Sequence, residues 1–335
     1  MQNVLALLAV TVFVGALALL AQWSRKSRGA EISLWVTLLF VSLLVLGAGA
    51  LLGAARLSGT VPAGTYPPGL LTITAGAIVA AGLIGLALCV PTLLKIVGRR
   101  PATFFSDPPI FLALWLFAMV LLTNNLIGIL GFGQLEEIGA FSLGTGGRLP
   151  VGMVLATQLP FVAVAILGVG AGIRRGLRPT LARLGYGPLN PRQLGIVAAF
   201  VVVAFALSLG ADFLFRQLQP GLYREVGEIS GTLFDPRGLG LVPAVLFALL
   251  IGVGAGLGEE TLFRGAVQPA LGILPTSVLF ASMHVQYGPS LLLGYIFILS
   301  IGLGYLRRRF NTTASFLAHA GYNFVGVMAA YLFSA

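Results

Sequence analysis

Charged residues are scarce in this sequence. Only 9% of its 335 residues are charged, whereas 58% are hydrophobic. Soluble globular domains carry about 25% charged residues, so this composition excludes an ordinary water-soluble protein. The sequence therefore predicts an integral membrane protein whose main surroundings are membrane lipid.

Cysteine and histidine are also rare. Cys89 is the only cysteine, which excludes an intramolecular disulfide and a cysteine-based zinc cluster. The sequence also lacks the HExxH pattern, which places two zinc-binding histidines and a glutamate on one helix. We therefore expect no metal and no cofactor.

The hydrophobic residues form long runs. Windows of roughly 18 to 25 apolar residues cross a bilayer as helices. We predict an all-α fold, a polytopic transmembrane helix bundle of about ten spans. The predicted spans are 3–23, 32–55, 69–97, 109–131, 149–173, 194–215, 239–268, 275–285, 289–306 and 312–333.

Basic residues lie between the spans in an alternating pattern. The formal net charge is +10, and the clusters after spans one, three, five and nine all fall on one side of a ten-span topology. Cytoplasmic loops are enriched in Lys and Arg, so both termini are predicted outside and the basic loops cytoplasmic. No aromatic and basic surface module is present, so we expect no nucleic-acid partner. The clusters are Arg25, Lys26, Arg28; Lys95, Arg99, Arg100; Arg174, Arg175, Arg178, Arg183, Arg192; and Arg307, Arg308, Arg309.

A few polar side chains fall deep within the predicted spans. Ionisable groups are expensive in a bilayer and therefore indicate function. Several of them are four residues apart, a spacing that places two side chains on one face of a helix. Counting 1.5 Å per residue from the expected helix ends puts these groups in one layer, roughly 10 to 16 Å deep. The pairs are Glu260 and Arg264, Phe280 and His284, and His319 and Asn323, and the candidate site residues are Glu259, Glu260, Arg264, His284, His319 and Asn323.

These residue types suit the hydrolysis of an amide bond. A carboxylate beside a neutral imidazole can hold a water molecule and take its proton. His319 and Asn323 can direct two N–H donors at a carbonyl oxygen as it gains charge. Arg264 can neutralise the second glutamate, which leaves one net negative charge on the pair.

Three motifs carry a resemblance to a known family. GEETLFRG matches EExxxR, FASMH matches FxxxH, and HAGYN matches HxxxN. Their types and order resemble those of the CPBP (CAAX protease and bacteriocin-processing, also called ABI) intramembrane glutamic proteases. The resemblance covers roughly residues 239–333. Two features depart from the family pattern: the loop after the first motif is apolar here, where bacterial members usually carry arginines, and the N-terminal spans are longer than the core requires.

The resemblance implies an enzyme and assigns roles within it. The first glutamate and the first histidine of the family activate water, which here are Glu259 and His284. The second histidine and the asparagine stabilise the oxyanion, which here are His319 and Asn323. The implied function is an intramembrane endopeptidase similar to the CAAX prenyl proteases, with water activated by glutamate and no metal.

The remaining motif residues and the division of the chain follow from the same resemblance. Glu260 and Arg264 are expected to support the site. Residues 194–335 are predicted to form the protease core, with four catalytic helices at its C-terminal end. Residues 1–193 are predicted to form a bundle of about five spans with a cytoplasmic linker, whose function the sequence does not reveal.

Other interpretations remain open at this stage. Two glutamates and two histidines also have the composition of a zinc metalloprotease site, although Arg264 would oppose a cation. A transporter, or a non-catalytic immunity or scaffold protein, would use the same residue types to bind a proton or an ion. For the protease, we expect a peptide or protein substrate, prenylated or membrane-embedded, and a location in the bacterial inner membrane.

Overall fold

Helices form the regular secondary structure of this chain. A computed structural model describes residues 2–61, 66–90, 107–137, 151–234, 236 and 238–333. Within these ranges there is no β-strand, and one isolated bridge joins Ala171 and Arg175. The predicted all-α fold is confirmed. The predicted cluster Lys95, Arg99, Arg100 and the span ends 91–97 and 149–150 lie outside the described residues.

The bounds of the helices follow in chain order. The α-helices are α1 Gln2–Ser24, α2 Arg28–Leu57, α3 Pro68–Leu88, α4 Pro108–Val120, α5 Leu126–Leu130, α6 Phe132–Glu137, α7 Val151–Gly168, α8 Leu177–Leu184, α9 Pro191–Leu218, α10 Pro220–Phe234, α11 Leu241–Glu260, α12 Gln268–Leu271, α13 Ile273–Ser282, α14 Leu291–Arg309 and α15 Thr312–Phe333. A first π-helix, Leu121–Asn125, joins α4 to α5, a second π-helix, Thr261–Val267, joins α11 to α12, and a 3-10 turn, Val285–Tyr287, follows α13.

Ten helical segments of the described chain are strongly apolar. Eight are long enough to cross a membrane, and two are shorter, Met153–Gly168 and Ile273–Ser282. They correspond one to one to the predicted spans, which confirms a polytopic transmembrane bundle. The helix α13 has 10 residues, so it is roughly 15 Å long, about half of the ~30 Å hydrocarbon layer.

Local sequence explains where two of these helices begin. Asn190 forms a capping box before Pro191: its side chain accepts a hydrogen bond from the Gln193 amide, and the Gln193 side chain accepts one from the Asn190 amide, both at 2.9 Å. Asn311 accepts a hydrogen bond from the Ala314 amide at 3.0 Å. Satisfied N–H groups at these positions fix the starts of α9 and α15.

The chain forms two compact units. The first comprises Met1–Ala16, Ser142–Ala281 and Ser290–Ala335, and the second comprises Leu17–Phe141 and Ser282–Pro289. In the first unit α11 packs against α7 and α15, and α14 packs against α9 and α15. In the second unit α2 packs along α3, and α3 packs against α4, the first π-helix and α5. The predicted functional boundary between residues 193 and 194 is a different kind of division and stays a prediction.

Candidate active site

The glutamate pair lies where the helical winding changes. The helix α11 ends at Glu260, and the second π-helix begins at Thr261. π-helical turns are rare and frequently occur at functional sites. Despite the wider turn, Arg264 keeps the predicted pairing with Glu260, with Nη1 of the arginine 3.1 Å from Oε1 of the glutamate. Both side chains are buried.

Glu260 also contacts His319. Its Oε1 lies 3.0 Å from Nδ1 of His319, which is buried on α15. A carboxylate beside a guanidinium is ionised and can only accept, so His319 donates from Nδ1. A neutral His319 therefore carries its lone pair on Nε2, whereas a protonated one donates from both ring nitrogens.

The guanidinium of Arg264 is fixed on two further sides. Its Nη2 donates to the side-chain and backbone oxygens of Ser300 on α14, at 2.9 and 3.2 Å. Its Cζ lies 4.3 Å from the ring centre of Phe280, a cation–π distance. Helices α13, α14 and α15 therefore all contribute to the environment of one buried ion pair.

Aromatic rings enclose this ion pair. The ring of Phe280 meets the edges of Phe263 and His319, at centroid distances of 5.2 and 5.6 Å. Phe263 in turn contacts Phe161 of α7 at 5.9 Å. Such edge-to-face contacts are favourable and orient the rings, so the ring of His319 is held by Phe280 as well as by Glu260.

Glu259 has a different environment from its neighbour. Its side chain is half-buried, and its buried Oε2 accepts no hydrogen bond from the described residues. Buried polar atoms are nearly always paired, and an exception calls for an explanation. This oxygen is not committed to holding the fold.

Asn323 lies one helical turn beyond His319 on α15 and is half-buried. Its side-chain amide makes no hydrogen bond to the described residues, whereas His319 bonds to Glu260. The spacing of four residues on a continuous helix keeps both side chains on one face, as predicted.

His284 is not helical, and here the sequence-based prediction was wrong. The helix α13 ends at Ser282, so Phe280 and His284 do not share a face of one helix. A 3-10 turn follows the helix. After that turn comes Gly288, whose φ of 53° lies in the left-handed region that glycine adopts readily. The ring of His284 stacks on Tyr287 at 6.3 Å. His284 belongs to the second unit, and the other five candidate residues belong to the first.

Sequence reasoning missed the groups that hold the second π-helix. Its backbone carbonyls at Arg264 and Gly265 accept hydrogen bonds from Arg307 and Arg183, at 3.3 and 3.2 Å. The sequence had marked these two arginines only as indicators of topology. Their contacts have no motif, because the partners lie 43 and 82 positions apart in the chain.

The linker between α7 and α9, residues 169–190, contacts the same π-helix through Tyr186. Its hydroxyl lies 2.6 Å from Oγ1 of Thr261, and Thr261 donates its own proton to the Leu257 carbonyl, so Tyr186 is the donor. Burial raises the pKa of the Tyr186 phenol above its ordinary value, so the hydroxyl keeps this proton at neutral pH.

Metal-binding potential is limited in this arrangement. Among the residues that the structure describes, no group of three or more His, Cys, Asp and Glu side chains is placed to hold a metal ion. Glu260 and His319 are engaged with each other, and Arg264 adds a positive charge at the same oxygen.

Known proteins resemble the C-terminal part of the chain. Residues 241–325 match a family model described as type II CAAX prenyl endopeptidase, Rce1-like. This segment contains all six candidate residues, and the match confirms the resemblance that the three motifs predicted.

A relative of unassigned function also matches. The chain is 29% identical over 96 residues to the uncharacterised protein YpbD of Bacillus subtilis (strain 168), a match that covers 29% of this chain and 47% of the relative. The chain thus spans about half the length of that curated relative. No solved structure matches significantly. The apolar helices and the family match together identify an integral membrane protein.

Proposed function

We propose that this membrane protein, whose residues 241–325 match the type II CAAX prenyl endopeptidases, is an intramembrane endopeptidase that hydrolyses a peptide bond with glutamate-activated water and without a metal ion. The observation that carries the proposal is the buried contact of Glu260 with both Arg264 and His319, next to Glu259. This contact neutralises one glutamate and leaves the other as the available base.

Glu259 and His284 are the proposed base and its partner. The motif resemblance supplies these two roles. In both glutamates Oε2 takes no hydrogen bond from the described residues. The geometry supports the choice of Glu259 because Oε1 of Glu260 contacts both Arg264 and His319, which holds that carboxylate in place. A general base must have an oxygen that can reach a water proton.

His319 and Asn323 are the proposed oxyanion hole. The donation from Nδ1 to Glu260 means that a second N–H, at Nε2, is present when His319 is protonated. The Asn323 amide is a neutral donor on the same helix face, and removal of one such donor typically lowers kcat by about 10²–10³-fold.

A metal-independent reaction is the simpler chemistry for these residues. A divalent ion at Glu260 would lie beside a guanidinium that is 3.1 Å from its carboxylate, and like charges at that distance repel strongly in a medium of low dielectric constant. The proposed catalyst therefore uses only carboxylate, imidazole and amide groups.

The substrate is proposed by chemical class. A peptide or protein substrate, prenylated or embedded in the membrane, fits an active site built on membrane helices. We also propose a bacterial inner-membrane location with the basic loops in the cytoplasm, which the distribution of arginine and lysine supports.

Cleavage by the purified protein tests the proposal. Wild type in detergent is incubated with fluorogenic prenylated and transmembrane peptides, with and without EDTA, beside Glu259→Gln. We expect cleavage that survives EDTA and falls at least about 10³-fold in the variant, because the substitution removes the base but keeps the size of the side chain.

A matched variant makes this experiment specific. Glu31→Gln makes the same chemical change at the exposed start of α2 and should cleave like wild type. Cleavage that EDTA abolishes would identify a metalloenzyme. No cleavage of any peptide by a folded wild type would favour a transporter or a scaffold protein instead.

A further inference from the structure

The segment that carries His284 packs against the fourth span. Residues 282–289 belong to the same compact unit as the first π-helix and α5. Three contacts join the two elements, at residues 124, 128 and 132 on one side and at residues 282, 285 and 288 on the other. Residue 124 lies in the first π-helix, residue 128 in α5 and residue 132 at the start of α6, so three successive elements line the whole segment.

The first contact is a hydrogen bond at the end of α13. Nδ2 of Asn124 donates to the backbone carbonyl of Ser282 at 3.0 Å. Ser282 is the last residue of that helix, and the last four carbonyls of a helix have no partner within it. Asn124 therefore satisfies a carbonyl two residues before His284, where the chain leaves the helix.

The second contact requires a glycine on the fourth span. A Cβ atom at Gly128 would lie 2.7 Å from Cβ and Cγ1 of Val285, well inside van der Waals contact. Val285 directly follows His284 and begins the 3-10 turn. The absence of a side chain at Gly128 thus determines how close the turn can approach.

The third contact closes the segment at its far end. Gly288, whose φ is left-handed, lies against the ring of Phe132. A Cβ atom on Gly288 would be 2.8 Å from the nearest carbon of that ring. His284 is consequently bracketed by contacts on both sides. Its backbone position is set by the fourth span rather than by its own helix.

We propose that Asn124 and Gly128 are positioning residues for His284, so that the fourth span is part of the catalytic apparatus. The inference rests on the proposed function for the importance of His284. It gives a role to a span that lies outside the residues matched by the family model. The π-helix at Leu121–Asn125 fits this role, since such turns are frequent at functional sites.

Steady-state kinetics test the proposal. Gly128→Ala and Asn124→Leu should each lower kcat about tenfold to a hundredfold with KM changed less than about twofold, because displacement of a reacting group by 1 Å can cost 10²-fold. Gly133→Ala is the matched control: a Cβ there meets nothing within 4 Å, and kcat should stay at the wild-type value.

A compensating pair separates positioning from general damage. Val285→Gly removes the side chain that a new methyl at position 128 would strike. In that background, adding Gly128→Ala should lower kcat less than about twofold, although the same change lowers it at least tenfold in wild type. Equal effects of Gly128→Ala in both backgrounds, or a wild-type kcat for Gly128→Ala and Asn124→Leu, would overturn the proposal.

Hydrogen exchange gives a readout that does not depend on cleavage. Asn124→Leu should speed amide exchange in residues 283–288, whereas Gly133→Ala should leave it unchanged. If wild type cleaves no peptide but this exchange effect appears, the proposed function fails while the positioning contact stands. If wild type cleaves peptides and the exchange is unaffected, the positioning role fails alone.

Discussion

Glu260 is the most constrained side chain of the candidate site. One of its oxygens contacts both a guanidinium and an imidazole, and the side chain is buried. An unpaired charge in such a place would be strongly destabilising, whereas a paired one is tolerated. We therefore expect the two adjacent glutamates to have separate roles: Glu260 contacts Arg264 and His319, and Glu259 is the proposed base.

Thermal stability should distinguish these duties. Glu260→Gln leaves Arg264 buried without its counter-charge, and breaking a buried pair in this way costs about 3–5 kcal/mol. We expect a clear fall in Tm, and a partial recovery in the double variant Glu260→Gln/Arg264→Met, which removes both charges. Intrinsic tryptophan fluorescence during heating in detergent measures both effects.

The neighbouring glutamate supplies the control for this experiment. Glu259→Gln makes the same change one residue earlier, where Oε2 accepts no hydrogen bond from the described residues. Its Tm should stay within a few degrees of wild type. Equal falls in Tm for both variants would mean that the two carboxylates share the structural role.

At the scale of elements, the second π-helix is held by the linker and by α14. Its carbonyls accept hydrogen bonds from Arg183 and Arg307, and its first residue accepts one from Tyr186. π-helical turns are rare and occur mostly as single turns within α-helices, and here three hydrogen bonds from outside reach this turn. The linker therefore helps to hold the winding that follows Glu260.

Removing one of these partners should weaken catalysis selectively. Tyr186→Phe deletes only the hydroxyl that donates to Thr261 and should lower kcat several-fold to tenfold, with little change in KM. Kinetics with the best peptide substrate measure this. Tyr305→Phe, at a residue that is 58% exposed on α14, should have no effect, and an equal loss in both variants would contradict the role of the linker.

The pH dependence of this contact has a defined sign. The raised pKa of Tyr186 means that the folded protein favours the protonated phenol. The hydrogen bond is therefore fully present at neutral pH and is lost only as the pH rises through that raised pKa. The kinetic difference between wild type and Tyr186→Phe should accordingly be constant from about pH 6 to 9.

Sequence reasoning found the spans and motifs but not these local features. Apolar runs are long enough to be recognised, and the pairs Glu260–Arg264 and His319–Asn323 each lie on continuous helical turns. The end of α13 depends instead on Asn124, which is 158 positions away from Ser282. Local propensity has no information about such a partner, so His284 was predicted on a helix that had already ended.

At the scale of the whole molecule, two of the basic clusters that were used to predict the orientation lie next to each other. Four hydrogen bonds join residues 185–188 to residues 311–313. The backbone N–H of Thr312 donates to the Gly185 carbonyl at 2.8 Å, and that of Gly187 donates to Thr313 Oγ1 at 3.1 Å. The side-chain amide of Asn311 donates to the carbonyls of Gly187 and Pro188. The basic clusters at 174–192 and 307–309 are therefore adjacent. Their side of the membrane stays a prediction.

Labelling of single cysteines tests that orientation. In a Cys89→Ala background, which removes the only native cysteine, Arg178→Cys should be protected from a membrane-impermeant maleimide in intact cells. Arg224→Cys on α10 should be labelled, since the predicted topology puts it outside. The reverse pattern would invert the orientation of the protein.

The half-length helix α13 also constrains how the protein is made. A segment of roughly 15 Å cannot cross the bilayer alone, and a helix end in lipid needs a partner for its exposed carbonyls. Asn124 supplies one of these partners, and it is translated long before Ser282. The carbonyl that ends α13 therefore has its partner in a residue that is synthesised 158 positions earlier and is already present when Ser282 leaves the ribosome.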